Sequence, residues 1–156
     1  MFNFSSIRIF YRKLETWIDI NASCENVWKG LIDFGSWQNW NGFIPKAEGN
    51  LLIGEYFHIE VVPPGLKKMT FRPRIFEVVE NSTITWGGGF LGFVYQGSHH
   101  FILEKIDENR TRFRQIEYFK GPMVLLMTHM INNTKLGYLA MNESFKKKIE
   151  NNGEVA

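Results

Sequence analysis

The sequence predicts an α+β fold, a curved antiparallel sheet of six to seven strands wrapped around one long C-terminal helix. Three observations predict it. Short segments of alternating apolar and polar residues fill the chain from about Ala47 to Lys120, the period of a strand. A helical stretch follows from about Pro122 to Glu150, with Leu126, Met130, Gly137, Tyr138, Met141, Phe145 and Ile149 on one face. No linker, repeat or low-complexity stretch interrupts the 156 residues, so residues 1–156 read as one domain with a core over about 14–150.

The elements can be justified in order. Lys13 to Ile20 alternates Leu14, Thr16, Ile18 and Ile20 against Glu15, Trp17 and Asp19, a first strand that residues 1–12 extend or leave frayed. Ser23 caps a helix from Cys24 to Phe34, with Glu25 in its first turn and Cys24, Val27, Trp28 and Leu31 on its buried face. Ser36 to Trp40 forms a second helical turn. Strands follow over Ala47 to Leu52, Glu55 to Val62, Lys68 to Val79 with a bend at Pro73, and Ser82 to Trp86. Gly87-Gly88-Gly89 reads as a turn or bulged loop, having no lysine-serine or lysine-threonine partner for a phosphate loop. Phe93 to Ile106 and Thr111 to Lys120 make a hairpin around Asp107-Glu108-Asn109. Pro122 opens the long helix, where its missing N–H costs little. Asn132, Asn133 and Gly137 are poor helix formers and mark a possible break.

Composition narrows the partners. Hydrophobic residues make up 44% and aromatics 15%, fourteen of them Phe, which favours apolar walls around a cavity. A net charge of only +2 argues against a nucleic-acid partner. The lone Cys24 excludes an internal disulfide and, on an apolar helix face, reads as core. The start of the chain lacks a basic n-region and a continuous apolar core, so a cytoplasmic location is expected. The longest apolar run, Met123 to Met127, is too short to span a bilayer, so no stable membrane insertion is expected. Lys146, Lys147 and Lys148 suit the helix dipole and a solvated face.

Alternation assigns a candidate site on the last hairpin. Tyr95, Gly97, His99, Phe101 and Leu103 share the more apolar phase of one strand; Phe113, Gln115, Glu117 and Phe119 share the inward phase of the next. Arg112 and Arg114 take the outer phase. A carboxylate in an apolar cup is costly unless paired or protonated. Glu117, Gln115 and His99 are therefore either a polar anchor for a ligand, an acid–base group, or a network that only fixes the sheet. Counting outward from Glu108-Asn109 pairs residues summing to about 217, which sets His99 across from about Tyr118, one position from Glu117. Trp86, Trp40 and Met130 join Tyr95, Phe101 and Phe113 as expected lining, with Trp37, Phe43, Phe90 and Phe93 near the cavity or its entrance. His58, His99, His100 and His129 are scattered, and adjacent His99 and His100 point to opposite faces, so no metal site is expected.

Three stretches carry a family resemblance: VWKGLIDFGSWQNWNGFI from Val27 to Ile44, TITWGGG and GSHHFILEKIDENRTRFRQIEYFKG between Thr83 and Gly121, and GYLAMNESFKKKIE from Gly137 to Glu150. In that order and spacing the chain resembles the SRPBCC superfamily, the START-like or helix-grip fold, and within it the polyketide cyclase/dehydrase and lipid transport branch. The resemblance implies a seven-stranded sheet gripping the helix around an apolar cavity. Members of the superfamily bind lipids, sterols, polyketides and other hydrophobic molecules, some as carriers and some as enzymes. Noncatalytic binding or transport of a small hydrophobic molecule, with no cofactor, is the leading expectation here. Two alternatives stay open: a cyclase/dehydratase-type enzyme using Glu117 and His99, and a regulatory protein-interaction module.

Overall fold

The computed structural model describes residues 10–153. Its strands are β1 (Tyr11–Ile20), β2 (Lys46–Glu48), β3 (His58–Val61), β4 (Met69–Phe71), β5 (Arg74–Val79), β6 (Thr83–Phe90), β7 (Tyr95–Asp107) and β8 (Arg110–Lys120). Its α-helices are α1 (Cys24–Ile32), α2 (Trp37–Trp40) and α3 (Thr128–Gly153). The strands are antiparallel throughout, in a five-stranded sheet ordered β1-β8-β7-β6-β5 and a three-stranded sheet ordered β2-β3-β4. Eight strands in two groups thus replace the expected single sheet of six to seven.

Pro73 explains the division. Proline has no N–H to give a ladder, so the predicted strand from Lys68 to Val79 splits into β4 and β5. The seam is bridged by Phe57 N–H donating to the Pro73 carbonyl at 2.9 Å, Ile75 N–H donating to Glu55 O at 2.8 Å, and a single pairing of Tyr56 with Arg74. Tyr11 and Arg12 extend β1, while residues 1–9 of the predicted fraying segment lie outside the described residues.

Gly87 to Gly89 are not a turn. They continue β6, and the chain reverses over residues 91–94, where Leu91 and Gly92 take left-handed backbone angles of 47° and 55°. The glycines answer to a close approach instead: a Cβ on Gly87 would stand 2.3 Å from the carbonyl oxygen of Gly97 on β7.

The helices close the sheet. The Ser23 side chain caps α1 by accepting from Asn26 N–H at 3.3 Å, and Val27, Trp28 and Leu31 are buried. The predicted closing helix opens as a 3-10 turn over Pro122–Leu126, which leaves Leu126 88% exposed and off the apolar stripe. From Thr128 the helix runs unbroken through Asn132, Asn133 and Gly137. Tertiary packing overrides the poor propensities there. Gly137 in particular lets α3 sit on the Phe43 ring, where a Cβ would be only 2.2 Å away. Tyr138, Met141, Phe145 and Ile149 form the buried stripe.

Outside the sheet, Arg112 pairs with Asp19 at 2.8 Å and Arg114 with both Glu15 and Glu104. Lys146 and Lys148 are not simply solvated. Lys146 donates to Asp19 O at 2.6 Å, and Lys148 to Ser36 Oγ at 2.6 Å and Gly30 O at 3.2 Å, tying α3 to β1 and α1. Among the described residues no helix is long and apolar enough to cross a membrane.

The glycine run yields a paired test. Gly87→Ala should lower stability by about 1–3 kcal/mol in urea denaturation, because the clash is with backbone that cannot retreat. Gly88→Ala meets nothing within 4 Å and should stay within about 0.5 kcal/mol of the parent. Equal losses at both positions would contradict the register of β6 on β7.

Candidate functional site

The core is packed at one end and hollow at the other. Around the C-terminal half of α3, Phe145 stacks on Trp40 with centroids 5.0 Å apart and meets Phe113 edge-on at 5.0 Å. Around the N-terminal half lies a cavity of about 430 Å³. Its size is ordinary for small-molecule sites, which run about 300–1,000 Å³. Ile59 and Val61 of β3 wall one side, Trp86 and Gly88 of β6 another, and Met127 and Met130 the helix side.

The floor is polar. Counting from the turn pairs Asp107 with Arg110, a sum of 217, but the ladder slips by one between Lys105 and Asp107 and sums to 216 beyond it. This bulge sets His99 directly opposite Glu117. Tyr138 of α3 joins the two. Its ring stacks on His99 with centroids 4.7 Å apart at 26°, and its hydroxyl hydrogen-bonds to Glu117 Oε2. Tyr95, two residues before Gly97, lies over that glycine's bare backbone; a Cβ there would be 2.5 Å from the Tyr95 hydroxyl.

Behind this floor runs a buried hydrogen-bond chain. His99 Nε2 is 3.1 Å from Gln115 Oε1, Gln115 Nε2 donates to Asn142 Oδ1 at 2.6 Å and toward Tyr138 O at 3.4 Å, and Asn142 Nδ2 donates to Thr16 Oγ1 at 3.2 Å. Because the Gln115 amide nitrogen faces two acceptors, its oxygen faces His99. His99 Nε2 then carries the hydrogen and Nδ1 keeps a lone pair.

Burial sets the charges. Desolvation, only partly opposed by the Gln115 hydrogen bond, pushes His99 down to about 3, so the ring is neutral at ordinary pH. Desolvation raises Glu117 to about 7 against the smaller opposing effect of its bond from Tyr138; no cation among the described residues offsets it. Burial first, and the Glu117 charge second, hold the Tyr95 and Tyr138 phenols protonated. A carboxyl balanced near neutrality beside a neutral imidazole and two phenols can bind a polar group or exchange a proton.

Of the residues expected at the site, Glu117, His99, Trp86, Tyr95 and Met130 line the cavity. Gln115 does not; it stands behind His99 and is fully buried. Phe101 and Phe113 point inward but belong to the packed end, and Trp40 covers Phe145 with Lys148 5.4 Å above its ring. Phe43 and Phe90 reach the lining, Trp37 is wholly core, and Phe93 is 82% exposed. His100 faces the outer surface, 3.0 Å from Thr85 Oγ1. Tyr138, Asn142 and Thr16 were not singled out by sequence. Tyr138 carried a signal, since a tyrosine on a buried stripe needs a partner for its hydroxyl.

No family model and no curated protein matches the chain. Solved structures do. The Zhui aromatase/cyclase from a Streptomyces species aligns with a TM-score of 0.71 at 16% identity, over 90% of this chain and 94% of that one. Norcoclaurine synthase from Thalictrum flavum, in complex with dopamine and hydroxybenzaldehyde, aligns with a TM-score of 0.66 at 14% identity, over 97% and 94%. Ara h 8.0201 aligns with a TM-score of 0.67 at 14% identity, over 90% of this chain and 99% of that one. The chain therefore shares the helix-grip fold of these structures, the fold that the sequence resemblance implied.

Glu117 makes stability depend on pH. Its folded value of about 7 lies above the ordinary 4.5, so the folded state holds the proton more tightly. That contribution is full below about pH 4.5 and is lost as pH rises through about 7. Glu117→Gln, which never ionises, should gain up to about 3 kcal/mol on the parent between about pH 4.5 and pH 8 in paired urea denaturations. A difference that does not change with pH would contradict the buried, unpaired carboxyl.

Proposed function

We propose that this protein is a START-like binding or transport protein that takes a small hydrophobic molecule into the cavity without transforming it. One observation carries the reading: Glu117, His99, Tyr95 and Tyr138 gather on the floor of a cavity of about 430 Å³ whose walls are mostly apolar, with Arg72 of the β4–β5 link as their one charged residue. Such a distribution orients a ligand by one polar end and accepts varied shapes along its apolar body. Met123, Met127 and Met130 add adaptable thioether wall. The solved structures with this fold include one in complex with dopamine and hydroxybenzaldehyde, which supports a small-molecule site in this chain.

A cyclase/dehydratase-type reading draws support from Glu117, whose value of about 7 suits a general acid or base. In that reading the proton partner is Tyr138 rather than His99, which burial keeps neutral.

An environment-sensitive apolar dye should bind with saturable one-to-one stoichiometry and be displaced by aromatic or fatty compounds. Gly88→Leu, which projects a side chain into open cavity space, should weaken dye binding about tenfold or more, a loss of about 1.4 kcal/mol, with melting little changed. Unsaturable binding, or equal affinity in the blocked variant, would contradict an internal site.

A further inference from the structure

The floor of the cavity is rich in hydrogen-bond acceptors and poor in donors. Glu117 receives one bond, from the Tyr138 hydroxyl, and its second oxygen is bonded to no described residue. His99 Nδ1 presents a lone pair, because Nε2 is committed to Gln115. Thr134, also on the lining, spends its hydroxyl hydrogen on the Met130 carbonyl at 2.9 Å and so offers no donor. The Tyr138 oxygen has already donated its hydrogen to Glu117. On the floor, with Glu117 ionised, only the Tyr95 hydroxyl remains as a side-chain donor without a partner among the described residues.

Charge points the same way. Glu117 takes part in no ion pair among the described residues, and no cation contributes to its environment. The groups packed around it are Tyr95 and His99 from β7, Tyr138 and Thr134 from α3, and Leu14 opposite it on β1. Lys13 and Glu15 take the other face of β1, where Glu15 pairs with Arg114. One cation belongs to the lining, Arg72, which is exposed in the link between β4 and β5, off the floor, with its guanidinium 5.8 Å from the Tyr56 ring. The floor itself thus offers a carboxyl, an imidazole lone pair and aromatic faces on Tyr138 and Trp86, without a countercharge.

We propose that the cavity selects a lipophilic organic ammonium, its N–H groups on Glu117 and His99 Nδ1 and its apolar body along β3 and the bare backbone of Gly88. This rests on the reading of the cavity as a ligand site. An ammonium supplies up to three donors where the floor has acceptors to spare, and it restores a partner to a desolvated carboxylate. A ligand carboxylate would meet Glu117 as a like charge and His99 as a second acceptor. A neutral alcohol offers one donor and leaves Glu117 protonated. Aromatic faces add cation–π attraction.

The test uses three probes of one shape: 2-(2-naphthyl)ethylamine, 2-(2-naphthyl)ethanol and 2-naphthylacetate, titrated calorimetrically into the full-length protein. At about pH 8 the amine should bind at least about tenfold tighter than the alcohol, and the acetate weakest. Lowering the pH should weaken the amine by up to about tenfold per unit below pH 7, as Glu117 must lose a proton to receive it, and should leave the alcohol flat. Glu117→Gln, checked for a native melt, should cut the amine-to-alcohol ratio at least about tenfold. If Glu117→Gln does not fold, the pH series on the parent decides alone. Alcohol and amine binding equally with no pH dependence would overturn the ammonium and leave the cavity reading standing. Tightest binding by the acetate would also overturn it and move the anchor to Arg72. Failure of all three probes, with the apolar dye also unbound, would overturn both readings.

Discussion

The buried chain from His99 through Gln115 and Asn142 to Thr16 is the constraint on which the rest of the structure depends. It crosses from β7 and β8 to the middle of α3 and on to β1, so it fixes both the height and the rotation of the closing helix. Every link lies in an apolar interior, where an unmade bond costs about 1–3 kcal/mol. Helix positions displaced by one residue would leave several such groups unpaired at once. That penalty, rather than the intrinsic helicity of a segment containing Asn132, Asn133 and Gly137, holds α3 in one register.

The same chain separates two kinds of interior. Below it, Phe101, Phe113 and Phe145 interlock with Trp37 and leave no room. Above it, β-branched side chains, thioethers, glycine backbone and a few aromatics such as Phe43 and Trp86 line a gap that they do not close. Gly87 and Gly97 allow β6 and β7 to approach closely, and Gly97 also lets the Tyr95 ring lie back along the sheet. The hollow is thus a product of small residues at chosen strand positions, and the floor's polarity is a product of the bonds that seal it. His99 serves both sides, giving Nε2–H to the chain and facing the cavity with the rest of its ring.

Strand alternation made the inward face of β7 and β8 legible, and with it Glu117 and His99, because side-chain phase survives errors in register. The register itself was off by one, since the bulge at Ile106 leaves no compositional mark. Periodicity also cannot say how far along a face the packing extends, which is why Phe101, Phe113 and Trp40 read as lining yet belong to the solid end. Gly87 to Gly89 looked like a turn because glycine's usual role is conformational freedom; here its lack of volume decides. Tyr138 and Asn142 joined the candidate site only through contacts more than 20 residues distant in sequence, which no local pattern encodes.

The central claim is that a carboxyl sits unpaired by any cation on the floor of an apolar cavity, its proton balanced near neutrality. Carbon-detected NMR titration of the glutamate side-chain carboxyls tests it most directly. The expected result is one glutamate resonance with a midpoint of about 7, lost in Glu117→Gln, while a His99 imidazole reporter stays neutral down to about 3. A Glu117 resonance titrating at or below the ordinary 4.5 would place the group in water or beside a cation and contradict the site.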